Sequence, residues 1–322
     1  MKPYRNYLLP AFLCCIIGLT AFNIHIPDKT NDQDPYIIKN YTVKTPAKLN
    51  VRTSGGSITV SGHSGNEVEV RMYVKQNGAS SWFGSDEDDI EEALENYDIS
   101  IRKEGNTIYA EAEKRSRSWN NSLSISFEVD VPYAMSANLN TSGGSINMNR
   151  LEGEHQVKTS GGSLSFDRIT GFTEASTSGG SINIDKYEGV LNGRTSGGSI
   201  RAYNSRGDLK LHTSGGSIFL EDVSGGIDAH TSGGSIKAYV NDLGDYLTLK
   251  TSGGSINAVI PEGAGVDLDL SGNRVNTKLN NFTGEAEKNS IEGRMNGGGV
   301  PVTMKTSGGS VNLDYHRAEA SN

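Results

Sequence analysis

Nine copies of Thr-Ser-Gly-Gly-Ser, each followed by an aliphatic residue, punctuate the chain. They start at Thr53, Thr141, Thr159, Thr177, Thr195, Thr213, Thr231, Thr251 and Thr306. From Thr141 to Thr231 the copies stand 18 residues apart, and the next step is 20. A fixed period of this length marks repeated units that bury their apolar faces on one another. Such an array lengthens by stacking, so 322 residues need not divide into separate globular domains. Gly accounts for 40 residues, and those in the array keep a constant phase, which a flexible Gly/Ser linker would not.

A second glycine column runs half a repeat away, through Gly65, Gly153, Gly171, Gly189, Gly207, Gly225 and Gly263, with Gly244 one place late. Between the turns lie two short alternating strands per unit. One carries Ile182/Ile184, Ile200/Ala202, Ile218/Leu220 and Ile236/Ala238; the other carries Leu191/Gly193, Leu209/Leu211, Ile227/Ala229 and Leu247/Leu249. Strands this short cannot stand alone, and identical units at constant period favour coils stacked in parallel register at about 4.8 Å. The expected fold is all-β, a right-handed parallel β-solenoid of about 18 residues per coil, the hand that parallel crossovers take in roughly 98% of cases. The turn glycines Gly55, Gly56, Gly161, Gly162, Gly179, Gly180, Gly197, Gly198, Gly215, Gly216, Gly233 and Gly234, with the second column, are expected to supply positive φ at the corners. Thr and Ser ladders beside them are expected to share hydroxyl hydrogen bonds. A triangular hexapeptide helix is excluded, because Glu188, Arg206 and Ser224 stand six places beyond Ile182, Ile200 and Ile218. A calcium-binding nonapeptide roll lacks its Asp ligand after Gly-Gly.

The first 22 residues read as an export signal or an N-terminal anchor. Lys2 and Arg5 precede the apolar run Tyr7 to Phe22, and Leu19-Thr20-Ala21 offers a cleavage point. Both cysteines, Cys14 and Cys15, lie in this run, so cleavage after Ala21 leaves a chain of net charge −10 with no thiol and no disulfide. A negative chain is a poor partner for nucleic acid, and membrane contact is expected only through an uncleaved N-terminal segment. Residues 23–40 read as a tether. Residues 41–136 form a β-rich part continuous with the array and holding one short acidic helix over 85–97, capped by Ser85, with Ile90, Ala93, Leu94 and Tyr97 on one face. Its seven acids between Asp86 and Glu95 read as a solvated face. The basic loop Lys114 to Asn121 carries Trp119, which is expected to pack on its own domain.

The array itself covers 137–315. After Thr251 it loosens: Ser271-Gly272-Asn273-Arg274 is a degraded turn, residues 276–296 are a polar loop excursion, and Thr306 to Leu313 is expected to cap the stack ahead of a tail over 316–322. The acidic helix before Tyr97-Asp98-Ile99, the step Val131-Pro132 into the array, the TSGGSI units and the closing Asn296-Gly297-Gly298-Gly299 to Ser310-Val311 together resemble the adhesin domain family of unknown function found in exported bacterial proteins. The resemblance spans roughly Tyr41 to Asp314. It implies a β-solenoid at the cell envelope with no catalytic residues to carry over; some relatives are implicated in sensing antimicrobial peptides and envelope stress. The family's adhesin label is a reading from fold.

No nucleophile, base and orienting acid recur at a usable spacing, and the six His show neither an i, i+4 pair nor a nearby carboxylate at metal-site spacing. No cofactor, metal or catalytic site is expected. One column invites a ligand: the residue before each repeat Thr, reading Arg52, Asn140, Lys158, Ser176, Arg194, His212, His230, Lys250 and Lys305. If the Thr points inward, this position points out, and Arg194, His212, His230 and Lys250 stack as a stripe for anionic envelope glycans or phosphates. A solvated outer face that only blocks edge pairing explains the same charges. The readings are therefore a non-catalytic envelope module binding glycan, peptide or protein; a polysaccharide-active β-helix enzyme, which needs acids and bases clustered in a groove; and a structural, ice-binding or stress-signalling scaffold.

Overall fold

In a computed structural model, the described residues are 34–76, 87–115 and 123–317. The expected export signal or anchor, Ser85, Trp119 and the tail beyond Arg317 lie outside them. The architecture is all-β with one helix among the described residues, Glu87–Leu94. Tyr97, expected on that helix, instead opens the strand Tyr97–Glu104. The expected tether boundary also falls too late, because the strand Ile37–Thr42 starts before residue 40.

Two strand layers enclose one apolar core. The strands that lead into each repeat Thr form the first layer, here the Thr layer, and the strands that follow each TSGGS form the second, the Ile layer. Parallel register links each residue of the regular array to the one 18 places on: Leu164 to Ile182, Ile182 to Ile200, Ile200 to Ile218, and in the other layer Leu191 to Leu209 and Leu209 to Ile227. Alternation then buries every second side chain. Over Glu188–Thr195, Leu191, Gly193 and Thr195 face in, whereas Glu188, Val190 and Arg194 face out. Burying an aliphatic side chain this way stabilises by about 1.5–3 kcal/mol, which short strands can collect only from a neighbouring coil.

The TSGGS turn holds the coils together by a mechanism different from the expected one. Its glycines do not have positive φ. A Cβ on Gly198 would lie 2.1 Å from the Gly180 carbonyl oxygen of the coil beneath, and Gly180, Gly216 and Gly234 are equally confined. The second glycine is thus fixed by backbone approach. The first is looser, since a Cβ on Gly197 would stand 3.4 Å from Gly179 O. The buried Thr hydroxyls also bond to backbone, not to one another: Thr213 Oγ1 donates to Gly198 O at 2.7 Å and accepts from Gly216 N–H at 3.3 Å. The same pair of bonds recurs from Thr141 to Thr306. Each adds about 1 kcal/mol net and supplies a partner to a backbone carbonyl at the turn.

Positive φ belongs to the other corner. Gly153, Gly171, Gly189, Gly207 and Gly225 adopt it, with φ between 116° and 151°, and Gly263 does at 83°. Gly65 and Gly244 do not. Three residues earlier a column invisible to the glycine count, Arg150, Arg168, Lys186, Asn204 and Asp222, sits in the left-handed region at φ 49° to 55°.

Both ends of the stack depart from chain order. The first TSGGS coil, Ala47–Thr53 with Ile58–His63, is flanked on one side by Met135–Thr141 and Ile146–Lys158, and on the other by Thr107–Lys114 and Leu123–Pro132. At the far end Val300–Thr306 and Ser310–His316 slot between Ile236–Thr251/Ile256–Pro261 and Val266–Ser271/Arg274–Thr277. The Thr306 copy is therefore not the cap; the degraded turn at Ser271-Gly272-Asn273 occupies the outer coil. The polar excursion 276–296 is likewise strand-forming. Phe282–Ala286 and Ser290–Met295 make a hairpin whose second strand pairs antiparallel with Val266–Ser271 and extends the Thr layer.

The glycine geometry separates two substitutions that look alike in sequence. Gly198→Ala is expected to cost on the order of 3 kcal/mol, and Gly197→Ala less than about 1 kcal/mol, in urea unfolding followed by circular dichroism. Equal losses would show that close approach is not what fixes the second glycine.

Candidate functional site

The stripe assembles as the alternation requires. Register partners run Ser176, Arg194, His212, His230, Lys250 and Lys305, one per coil across the outer face of the Thr layer. Arg194 and His212 are exposed; His230, Lys250 and Lys305 are half-buried by their neighbours. The two imidazoles lie 6.5 Å apart between ring centres. With Asn192, Lys210 and Asp228 from the outward column two residues upstream, Arg194, His212 and His230 line a shallow groove of about 420 Å³.

The upstream column decides which cations are available, and the sequence column alone did not include it. His230 Nε2 stands 2.7 Å from Asp228 Oδ1, and Lys305 Nζ stands 2.6 Å from Asp269 Oδ2. Arg194, Lys210, His212 and Lys250 form no such pair among the described residues. Lys210 thus joins the stripe, while Asp228 and Asp269 take two cations out of it. For Lys210 and Asp228 the signal was present in the alignment of copies, three places before Thr213 and Thr231; Asp269 lies in the coil of the degraded turn and is brought to Lys305 only by the pairing of the strands.

Elsewhere a core column of the array holds two polar residues in adjacent coils, His155 and Thr173. His155 occupies the inward position held in other coils by Leu49, Leu191 and Leu209, and it pairs in register with Ala137 on one side and Thr173 on the other. It is 2% exposed, and neither ring nitrogen has a hydrogen-bond partner among the described residues. Burial lowers its pKa to about 4. Among the described residues no group of His, Cys, Asp and Glu is placed to hold a metal ion.

Compared with known proteins, residues 17–314 match the Toastrack DUF4097 family. The chain belongs to that family. Among curated proteins, none matches. Three solved structures are similar at low identity. A putative cell adhesion protein from Clostridium sporogenes is 12% identical over 87% of this chain and 99% of its own, with a TM-score of 0.22. A putative lipid binding protein from Parabacteroides distasonis is 13% identical, covering 87% and 97%, with a TM-score of 0.40. A putative adhesin from Bacteroides fragilis is 14% identical, covering 87% and 96%, with a TM-score of 0.31.

In this Toastrack chain the buried imidazole has a thermodynamic consequence of definite sign. The folded state holds His155 neutral down to about pH 4, whereas the unfolded chain takes up a proton near pH 6.5. Stability is therefore fully present above about pH 6.5, falls by roughly 3 kcal/mol as pH drops to about 4, and is level below that for this group. His155→Leu is expected to remove this part of the acid dependence and to raise stability at neutral pH. The check is the difference between wild-type and variant urea midpoints from pH 7.5 to 4; a constant difference across that range would count against it.

Proposed function

We propose that this protein is a non-catalytic module of the bacterial cell envelope, exported through its N-terminal segment, which binds an anionic envelope glycan along the outer face of the Thr layer. The parallel stack is taken here as a right-handed solenoid, and the ligand lies across its coils.

The observation that carries the reading is the row Arg194, His212 and Lys250 with Lys210 beside it, on a face where His230 and Lys305 form ion pairs and these four form none among the described residues. Parallel register sets them at about 4.8 Å per coil, so a chain with repeated carboxylates or phosphates meets several cations in line. Each exposed contact is worth little, on the order of 0.5–1 kcal/mol, so affinity depends on meeting several at once. A regular array supplies that multiplicity. Nucleic acid is disfavoured as the polyanion by the net charge of −8.

The test is retention on immobilised polygalacturonate across a salt gradient. The double variant Arg194→Ser, Lys250→Ser is expected to weaken retention about tenfold and to flatten its salt dependence. Retention unchanged by the double substitution would overturn the reading.

A further inference from the structure

The opposite half of the same outer face has a different chemistry. Its row three places before each Thr reads Asn50, Asn138, Gln156 and Glu174, consecutive partners in parallel register, and Glu174 pairs onward with Asn192 in the adjoining coil that carries Arg194. These side chains line a groove of about 330 Å³, which Phe172 walls on one side. Phe172 is 39% exposed and its register partner Val190 is 36% exposed. They are two of the three large hydrophobic residues exposed among the described residues, and they are neighbours.

A row of amides need not be a binding surface, and the molecule contains its own comparison. On the Ile layer Asn276, Asn312 and Asn257 are also register partners, and there each carboxamide donates to the next at 2.7 Å. That ladder consumes its own hydrogen bonds and stabilises the stack. Asn50 and Asn138 have the same spacing but no side-chain hydrogen bond among the described residues, and Gln156 reaches Glu174 only at 3.5 Å. Their donors and acceptors face solvent beside an exposed aromatic ring.

We propose that this groove is a second binding site, for a short uncharged oligosaccharide laid along the stack. A carboxamide presents one donor and one acceptor in a plane, the complement of adjacent sugar hydroxyls. The Phe172 face offers an apolar platform for the C–H face of a sugar ring. From Asn50 to Glu174 the row runs about 14 Å, the scale of a short oligosaccharide. Charge argues for a neutral ligand: among the lining residues Lys48 is outweighed by Glu154 and Glu174, so the groove itself presents no net positive charge to an anion. The proposal rests on reading the Thr layer as a glycan-binding face, yet its ligand class and residues are separate from those of the basic stripe.

Saturation-transfer NMR of the whole protein with cellotetraose, chitotetraose, maltotetraose and mannotetraose, each at about 5 mM, detects Kd values near 1 mM. At least one is expected to bind, with affinity unchanged by high salt. Phe172→Ala and Asn138→Ala are each expected to weaken it about tenfold, with thermal unfolding unaltered. Arg194→Ser with Lys250→Ser should leave it intact, so failure of the stripe and failure of the groove are told apart. Binding by none of the four, or binding indifferent to both groove substitutions, overturns the proposal.

Discussion

The structure depends on a contact between two backbones. At each TSGGS turn the second glycine lies so close to a backbone carbonyl of the coil beneath, Ile125 O for Gly56 and a glycine carbonyl for the others, that a single methyl group cannot be admitted. The Thr hydroxyl then bridges the two turns, taking the N–H of its own coil and giving its proton to the carbonyl of the neighbour. The rest follows from this approach. It sets the coil separation at one side of the molecule, holds like residues opposite like, and so turns a sequence period into columns of side chains. The aliphatic core benefits from the alignment, but it does not dictate it, since Leu, Ile, Val, Ala and even Gly193 occupy equivalent inward places.

Surface chemistry inherits the same columns. Outward side chains take no part in the apolar core and are free to vary, so one face holds regions of different character at fixed spacing. Arg194, His212 and Lys250 make a cationic strip; Asn50, Asn138 and Gln156 make an amide row ending at Phe172. The Asp228 and Asp269 carboxylates show that neighbouring columns must be read together, because a cation's availability is decided by the upstream outward column of its own coil, as for His230, or of the adjoining one, as for Lys305.

Much of this was legible in the sequence because the repeat is regular. Once copies are 18 residues apart, the pairing of Leu164 with Ile182 and the alignment of Arg194 with His212 follow from the period alone. The inward Thr and outward stripe follow from alternation. The ends were not legible in this way. Nothing local says that Thr53 should lie between Thr141 and Ala112, because the strand that flanks it carries no TSGGS. Equally, Ser271-Gly272-Asn273 looks like a decayed continuation, when its coil is the outer one and a later intact copy fits inside it. Pairings between distant segments are settled by which edges remain open, a property of the whole stack. The glycine roles were misassigned for a related reason: Gly is permitted by two different constraints, positive φ and close approach, and its letter does not distinguish them. Phe172 and His155 could have been found by parity, the aromatic falling on an outward place and the imidazole on an inward one.

The interleaved ends have an implication for how such a molecule changes size. Because the first and last intact turns each sit one coil in from the extremity, every TSGGS turn has a neighbour on both sides, and the specialised segments are confined to the two termini of the stack. Between those adapters the coils are geometrically interchangeable. Duplicating or deleting one 18-residue unit in the middle would lengthen or shorten the outer face by about 4.8 Å while leaving both terminal adapters, and the phase of every column, untouched. The number of copies between Thr141 and Thr251 thus acts as a ruler, setting the reach of the molecule independently of what its surface is built to hold.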